Sequence, residues 1–286
     1  MKISELRKKG RDALSFFAGL EEPDYLEPSL IEHEVDLLLC ECLGVNKAKL
    51  LISLEDESTL EVKEKFLEFV ERRKTHEPLA YILGSQEFYG LNFLVSPDVL
   101  IPRPDTEILV EAAIKFCRNN SVKRVLDIGT GSGAVIISIA KELAENKEIE
   151  FVSIDVSKSA LELARKNAKL NGLENIEFLN SSAFNKENYK EETLVVSNPP
   201  YIAPTEVLPK SVRDFEPSLA LIAKDDGLEF YKEIIRNSSA SKLPVLFEVG
   251  MNQAESVAGL LKQAGYTEVS VLNDLQGHNR VVFGVG

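Results

Sequence analysis

Asn198-Pro199-Pro200-Tyr201 closes a run, Leu194-Val195-Val196-Ser197, that otherwise reads as a buried strand. Proline cannot donate to a β-ladder and is confined to edges, strand starts and bulges, so two in succession end the strand abruptly. They also leave no N–H at either position. Hydrogen bonding at such an edge is dominated by acceptors, namely the Asn198 side-chain oxygen and the Pro199 carbonyl. Two acceptors at a fixed separation suit a planar NH₂ group, and Tyr201 adds a flat face for stacking on an amide or a base. An Asn-Pro-Pro-Tyr string has odds on the order of one in a thousand of arising by chance in a chain of this size, so an ordinary Pro-Pro turn is a poor account of it.

A second cluster lies upstream. In "VLDIGTGSGAV", Gly129, Gly131 and Gly133, with Thr130 and Ser132 between them, follow a strand and open a helix. Glycines there let the backbone turn tightly and let a ligand approach the main chain. Gly129-x-Gly131-x-x-Ala134 satisfies the relaxed dinucleotide pattern, so the glycines alone do not choose between NAD and another nucleoside ligand. Two acids narrow the choice. Asp155 ends the next strand, where a carboxylate can accept both hydroxyls of a ribose. Asp127 stands two residues before the glycines, where it could receive an amino group, orient the loop or cap the turn. As a ligand contact it suits a cationic group better than a pyrophosphate.

The elements that must hold these residues follow from periodicity. From residue 123 the pattern alternates strand and helix: strands "RVLDIG", "IEFVSID", "NIEFLN", "TLVVSN" and "LPVLFEVG", with helices over 133–144, 158–170, 227–237 and 252–264. That alternation predicts a parallel sheet covered on both faces. The final strands "EVSVLND" and "RVVFGVG", joined by a short turn at Leu275-Gln276-Gly277, imply one antiparallel strand at the end. Residues 1–75 read as helices only, with a stripe at Ile31, Val35, Leu38, Leu39 and Cys42 and another through Leu60, Phe66, Leu67 and Val70. "EEPDYLEPSL" between the first two helices reads as a turn region. Residues 79–96 alternate aromatic and branched side chains around Gly84 and Gly90, which suggests a β-hairpin. Asp105 or Thr106 is the expected N-cap of the helix after Pro102 and Pro104.

Net charge is −13, and it is spread evenly: residues 1–95 carry 12 basic and 19 acidic side chains, the remainder 21 and 27. Nucleic-acid affinity rests on basic phosphate contacts, so this balance weighs against direct nucleic-acid binding and favours a basic protein partner. No apolar run reaches the ~18 residues of a membrane span, and the polar start "MKISELRKKG" does not read as a signal peptide. Three cysteines, Cys40, Cys42 and Cys117, form a sparse odd set that points to a reducing, cytoplasmic setting. His33, His76 and His278 are scattered without ligand spacing, and no metal site is expected.

Together with "LDIGTGSG", the Asn-Pro-Pro-Tyr tetrapeptide resembles the signature of class I S-adenosylmethionine-dependent amino-methyltransferases. The longer strings "LAYILGSQEFYGLNFLVSPDVLIPRPDTE", "VVSNPPYI", "FEPSLAL", "DGLEFY" and "NRVVFG" are similar to the HemK/PrmC family, glutamine methyltransferases of peptide chain release factors. The likeness runs from about residue 30 to the end. It implies an α/β, Rossmann-like methyltransferase sheet of seven strands whose last hairpin is antiparallel. It also implies a small all-helical N-terminal domain (1–75, docking the protein substrate), a hairpin linker (76–96) and a catalytic domain (97–286). By the same resemblance, Gly129–Gly133 and Asp127 would hold the methionine part of S-adenosylmethionine and Asp155 its ribose. Asn198, also beside the cofactor, would hold the glutamine amide with Pro199, Pro200 and Tyr201. Arg103 would close the pocket or receive a carbonyl of the protein substrate, unless it is a surface arginine beside a helix start. The products would be the methylated release factor and S-adenosylhomocysteine, and nothing demands more than a monomer.

One departure stands out. Where the family has Gly-Asp-x-Phe after the third strand, this chain has Ser181-Ser182-Ala183-Phe184, so an adenine contact falls to Ser182 or to the backbone near Ala183. Ala223 and Lys224 are a lesser departure. Three rival readings accompany the family one. A DNA adenine or cytosine amino-methyltransferase would use the same acceptor pair on a flipped base, but lacks a basic groove here. An NAD-dependent oxidoreductase would leave the tetrapeptide unexplained. An inactive binding module would not need an intact ligand loop.

Overall fold

The computed structural model describes residues 1–21, 24–274 and 276–286. Parts of two expected turns, at Glu22-Pro23 and at Leu275, lie outside the described residues. The chain begins with helices α1 (Ile3–Leu14), α2 (Pro28–Leu43), α3 (Lys47–Ile52), α4 (Leu60–Lys74) and α5 (Leu79–Leu83), followed by strands β1 (Ser85–Phe88) and β2 (Leu91–Leu94). Then come α6 (Glu107–Asn119), β3 (Arg124–Ile128), α7 (Ala134–Glu142), β4 (Glu150–Asp155), α8 (Lys158–Leu170), β5 (Ile176–Asn180) and β6 (Thr193–Ser197). A short helix α9 (Lys210–Arg213) and a left-handed turn, α10 (Lys224–Gly227), precede α11 (Glu229–Ser239), β7 (Val245–Glu248), α12 (Ala254–Gln263), β8 (Glu268–Asn273) and β9 (Asn279–Val285). No helix among the described residues is long and apolar enough to cross a membrane.

Two compact units emerge: residues 1–84 with 207–215, and residues 85–206 with 216–286. The first is helical. Its core takes Ile31, Val35, Leu38 and Leu39 from the α2 stripe and Phe66 and Val70 from α4, while Leu60 stays exposed. Thr59 starts α4 by accepting the Val62 N–H at 3.2 Å. Within that core Arg73 forks onto Glu34 at 2.8 and 3.2 Å.

Residues 79–83 correct the hairpin expectation. They form a helical turn begun at Pro78 and ended by Gly84, whose φ of +75° is left-handed. A short apolar run has no period that separates strand from buried helix, and here the flanking proline and glycine decide. The hairpin is confined to Ser85–Leu94. Its turn, Tyr89-Gly90, has φ of 51° and 67°, the paired positive angles that tight hairpins favour. Phe88 and Phe93 bury it in the second unit's core, so it packs with the sheet rather than standing as a separate linker.

The large sheet has the order β5-β4-β3-β6-β7-β9-β8. β9 runs antiparallel to both its neighbours, and the other pairs are parallel. The central strands β3, β6 and β7 are buried at every position, as a sheet covered on both faces requires. Side chains alternate between two cores: Val125, Leu194 and Val196 enter one, and Leu126, Val195 and Phe247 the other. The chain leaves β3 toward β4 on one side and leaves β6 toward β7 on the other. β3 and β6 thus form the point where strand order reverses, and the crevice beyond their carboxyl ends is where such sheets bind ligands.

Candidate active site

A cavity of about 320 Å³ opens at that crevice in the second unit. Its wall collects the ends of four strands: Ile128–Ser132 after β3, Ile154–Ser157 on β4, Ser181–Ala183 after β5 and Ser197–Pro200 after β6. Pro102, Arg103 and Thr106 close it from the segment before α6, and Pro217, Leu219 and Phe230 from the segment beyond the tetrapeptide. Register brings the two motifs together, because Ile128 and Ser197 are partners across β3 and β6. The Ser197 hydroxyl donates to the Ile128 carbonyl at 2.7 Å and ties the two strand ends.

The glycine loop is held from below by an acid that never reaches the cavity. Asp127, 1% exposed, accepts the Ser153 hydroxyl at 2.6 Å, and Ser153 lies 2.8 Å from the Thr130 hydroxyl. Asp127 braces the loop from below and does not line the cavity, because β3 is central and buries every side chain. Burial pushes its carboxyl up to about 7, against the hydrogen bond from Ser153. Gly133 is likewise off the wall. An added Cβ would meet Ile137 at 2.7 Å and Ala164 at 3.2 Å, so this glycine lets the loop and helices pack closely. Gly129 and Gly131 do line the cavity, with left-handed φ of +86° and +53°.

Asp155 stands on the wall and supports the loop. Its two oxygens accept the N–H groups of Gly131 at 2.9 Å and Ser157 at 2.8 Å. A carboxylate oxygen has a second lone pair, so the group can still accept ligand hydroxyls. On the neighbouring wall Ser182 accepts the Phe184 N–H at 3.2 Å and keeps its own proton to donate. The Ala183 carbonyl already takes the Tyr189 hydroxyl at 2.8 Å and the Asn237 amide at 3.1 Å, so a polar contact to a base there is left to Ser182 or to a backbone N–H.

The tetrapeptide is braced on several sides. Asn198 donates from its amide nitrogen to the Thr106 hydroxyl at 3.3 Å, so its oxygen is the end left for a ligand. Neither Thr106 nor Asp105 caps α6 with its side chain: Thr106 is spent on Asn198, and Asp105 pairs with Arg280 at 2.9 Å. Tyr201 does not line the cavity. Its ring packs on the second core and against Gly250, and its carbonyl accepts the Gln253 amide at 2.8 Å. Burial raises its hydroxyl to about 12, which keeps it neutral. Ile202 bridges to Leu221 and Ala223 through backbone hydrogen bonds of 2.9 and 3.0 Å, fixing the following segment. Arg103 lines the cavity and pairs with the buried carboxylate of Glu216, which also accepts the Ile101 N–H at 3.2 Å. Glu216, Gln253, Ser153 and Glu248 carry this architecture without having been singled out in the sequence. Acids inside the "FEPSLAL" string and at the end of "LPVLFEVG" were the available signals.

The comparisons with known proteins bear on what this cavity does. Over 257 residues the chain is 41% identical to a release factor glutamine methyltransferase of Fusobacterium nucleatum subsp. nucleatum, covering 87% of this chain and 72% of that protein. A release factor glutamine methyltransferase of Geobacter sulfurreducens is 38% identical over 256 residues, 88% of each chain. The chain belongs to the release factor glutamine methyltransferase family. Residues 28–84 match the family described as the PrmC N-terminal domain, and residues 119–223 one described as a methyltransferase domain. Among solved structures, the hMettl16 catalytic domain in complex with MAT2A 3'UTR hairpin 6 aligns with a TM-score of 0.54 at 20% identity, over 69% of this chain and 76% of that one. That likeness concerns the fold alone.

Proposed function

We infer that this chain transfers a methyl group from S-adenosylmethionine to the side-chain amide nitrogen of a glutamine in a peptide chain release factor. The observation that carries the reading is the Asn198 amide, turned by Thr106 so that its oxygen serves the cavity. The family's name supports the protein substrate, and neither the DNA nor the NAD reading accounts for both that family and this acceptor.

The residues present fit the cofactor. A cavity of about 320 Å³ falls within the range of small-molecule sites, and bare glycine backbone at Gly129 and Gly131 forms part of its wall. Gly129–Ser132 would hold the amino-acid part, Asp155 the ribose hydroxyls, and Val156, Ser182 and Ala183 would flank the base. With Ser182 in place of an acid, the base would meet a hydroxyl donor rather than a carboxylate. When bound, S-adenosylmethionine supplies an electrophilic methyl group on a sulfonium.

An amide nitrogen is a weak nucleophile because its lone pair is delocalised into the carbonyl. The Asn198 oxygen and the Pro199 carbonyl accept its two hydrogens, which aims the lone pair and favours pyramidalisation. They also stabilise positive charge as it grows on nitrogen, a term that strengthens where water is excluded. The proton becomes acidic only once nitrogen is alkylated, so the chain needs no strong base beforehand. Tyr201 acts here through its fixed carbonyl and buried ring, which hold the corner in shape. Arg103, anchored by Glu216, would donate to a carbonyl of the substrate backbone.

The test is incubation of the chain and its Asn198→Ala variant with labelled S-adenosylmethionine and purified release factor, followed by mass spectrometry of the glutamine peptide. Loss of one preorganised polar group costs about 2.7–4 kcal/mol in the barrier, a fall of 10²–10³ in kcat. Cofactor affinity should change far less. Full turnover by Asn198→Ala would refute the acceptor role.

A further inference from the structure

Glu248 ends β7 and is 2% exposed. Ser197 and Phe247 are partners across β6 and β7, so the next residues, Asn198 and Glu248, leave the sheet side by side. A buried carboxylate is costly unless it is well satisfied, yet Glu248 Oε2 has no hydrogen-bond partner among the described residues. The strand register sets the carboxyl beside Asn198, whose nitrogen is held by Thr106, and Arg280 acts on it, while burial pushes it up to about 7. A chain that keeps so expensive a group beside its reactive corner has a use for it.

The use follows from the polarity of the hydrogen bonds. An asparagine amide can present either its oxygen or its NH₂ after a half-turn, and the two ends differ little in size. An ionised carboxylate only accepts. The Thr106 oxygen accepts from the Asn198 nitrogen at 3.3 Å, which leaves the Thr106 proton to donate, and the Glu248 carboxylate beside Asn198 is a pure acceptor for it. The amide oxygen is then the end that meets substrate. Reverse that polarity and an NH₂ would face the NH₂ of the glutamine.

We propose that Glu248, acting with Thr106, fixes the orientation of the Asn198 amide and is a positioning residue for methyl transfer. This rests on the reading of Asn198 as the acceptor of the substrate amide. In Glu248→Gln the Arg280 cation draws the new carbonyl oxygen, which turns the new NH₂ toward Thr106 and inverts the chain of donors. The other groups that act on this corner are Asp105 from the turn before α6, Tyr201 after β6 and Tyr231 on α11.

The experiment compares Glu248→Gln, Asn198→Ala and the double variant with the intact chain, using release factor and S-adenosylmethionine. Glu248→Gln should lower kcat at least tenfold, the effect of losing a charge-assisted hydrogen bond, with cofactor Kd and KM within about twofold and Tm unchanged or higher. In the Asn198→Ala background the same substitution should cost nothing more, because it acts only through Asn198. The intact chain should gain kcat as pH rises through about 7, and Glu248→Gln should lose that inflection. Should Glu248→Gln fold poorly, Thr106→Val should reproduce the kcat loss and Thr106→Ser restore turnover. A Glu248→Gln enzyme at full kcat, or one whose loss adds to that of Asn198→Ala, overturns the positioning role and leaves the Asn198 reading standing. An Asn198→Ala enzyme at full turnover overturns both.

Discussion

Gly227 lies outside the cavity wall, yet replacing it with alanine should disable the site. Its φ is +84°, the last of three consecutive left-handed residues with Asp225 and Asp226. A Cβ there would sit 2.1 Å from the Tyr201 carbonyl oxygen and 2.4 Å from the Gln253 amide nitrogen. Carbon and oxygen do not approach much closer than about 3.3 Å, so the Tyr201 carbonyl must retreat by about 1 Å. That movement breaks the 2.8 Å hydrogen bond from Gln253. The left-handed conformation costs about 1–2 kcal/mol for a side chain with Cβ, and the lost hydrogen bond about 1 kcal/mol more. A total of about 2–3 kcal/mol should appear in urea unfolding. A displacement of about 1 Å at the corner should lower kcat on the order of 100-fold. Gly172→Ala is the control, since φ there is +73° but nothing among the described residues lies within 4 Å of the added carbon. It should share the conformational cost and keep its kcat. If Gly227→Ala turns over within twofold of the intact chain, the idea that the Tyr201 carbonyl sets the corner is wrong.

Asp155→Ala removes the acceptor of the Gly131 and Ser157 N–H groups along with the proposed ribose contact. Calorimetry should show S-adenosylmethionine binding weakened about 10- to 100-fold, and a Kd within twofold would count against this site. Asp127 gives a stability signature with a definite sign. Its carboxyl rises from an ordinary 3.8 to about 7, so the native state keeps a proton that the unfolded chain has released. Stability from this group is fully present below pH 3.8 and lost as pH rises through about 7. Between pH 5 and 7 the intact chain should lose about 2 kcal/mol relative to Asp127→Asn, measured by urea unfolding at both pH values. Parallel curves for the two proteins would refute the buried-acid assignment.

How far the sequence foretold this arrangement depends on the range of the contact concerned. The strands and long helices were legible because burial on two faces writes a near-continuous apolar run and burial on one face writes a helical stripe. α8 begins and ends where its pattern does, with Ser157 capping one end through the Ala160 N–H at 3.2 Å and Gly172 stopping the other. Residues 79–83 were not legible as helix, since five residues are too few to show a period. Asp127 read as a ligand contact, a loop brace or a turn cap, because a strand-end acid before a glycine loop can be any of these. What withdrew it from the cavity was Ser153, placed opposite it only by the register of β3 and β4.

Thr106 shows the same limit from the other side. By sequence it is a good helix cap, and that local preference loses to a partner 92 residues away. Arg103 and Glu216, 113 residues apart, pair for the same reason. Residues that touch a ligand must carry the right functional groups in a tight local spacing, so motifs betray them. Residues that aim those groups need only arrive at the right place, and the sheet can deliver them from any strand. Glu248 arrives beside Asn198 because β7 neighbours β6, with no trace in the spacing of either segment. The chemistry of this site is written locally, and its precision is written in the order of the strands.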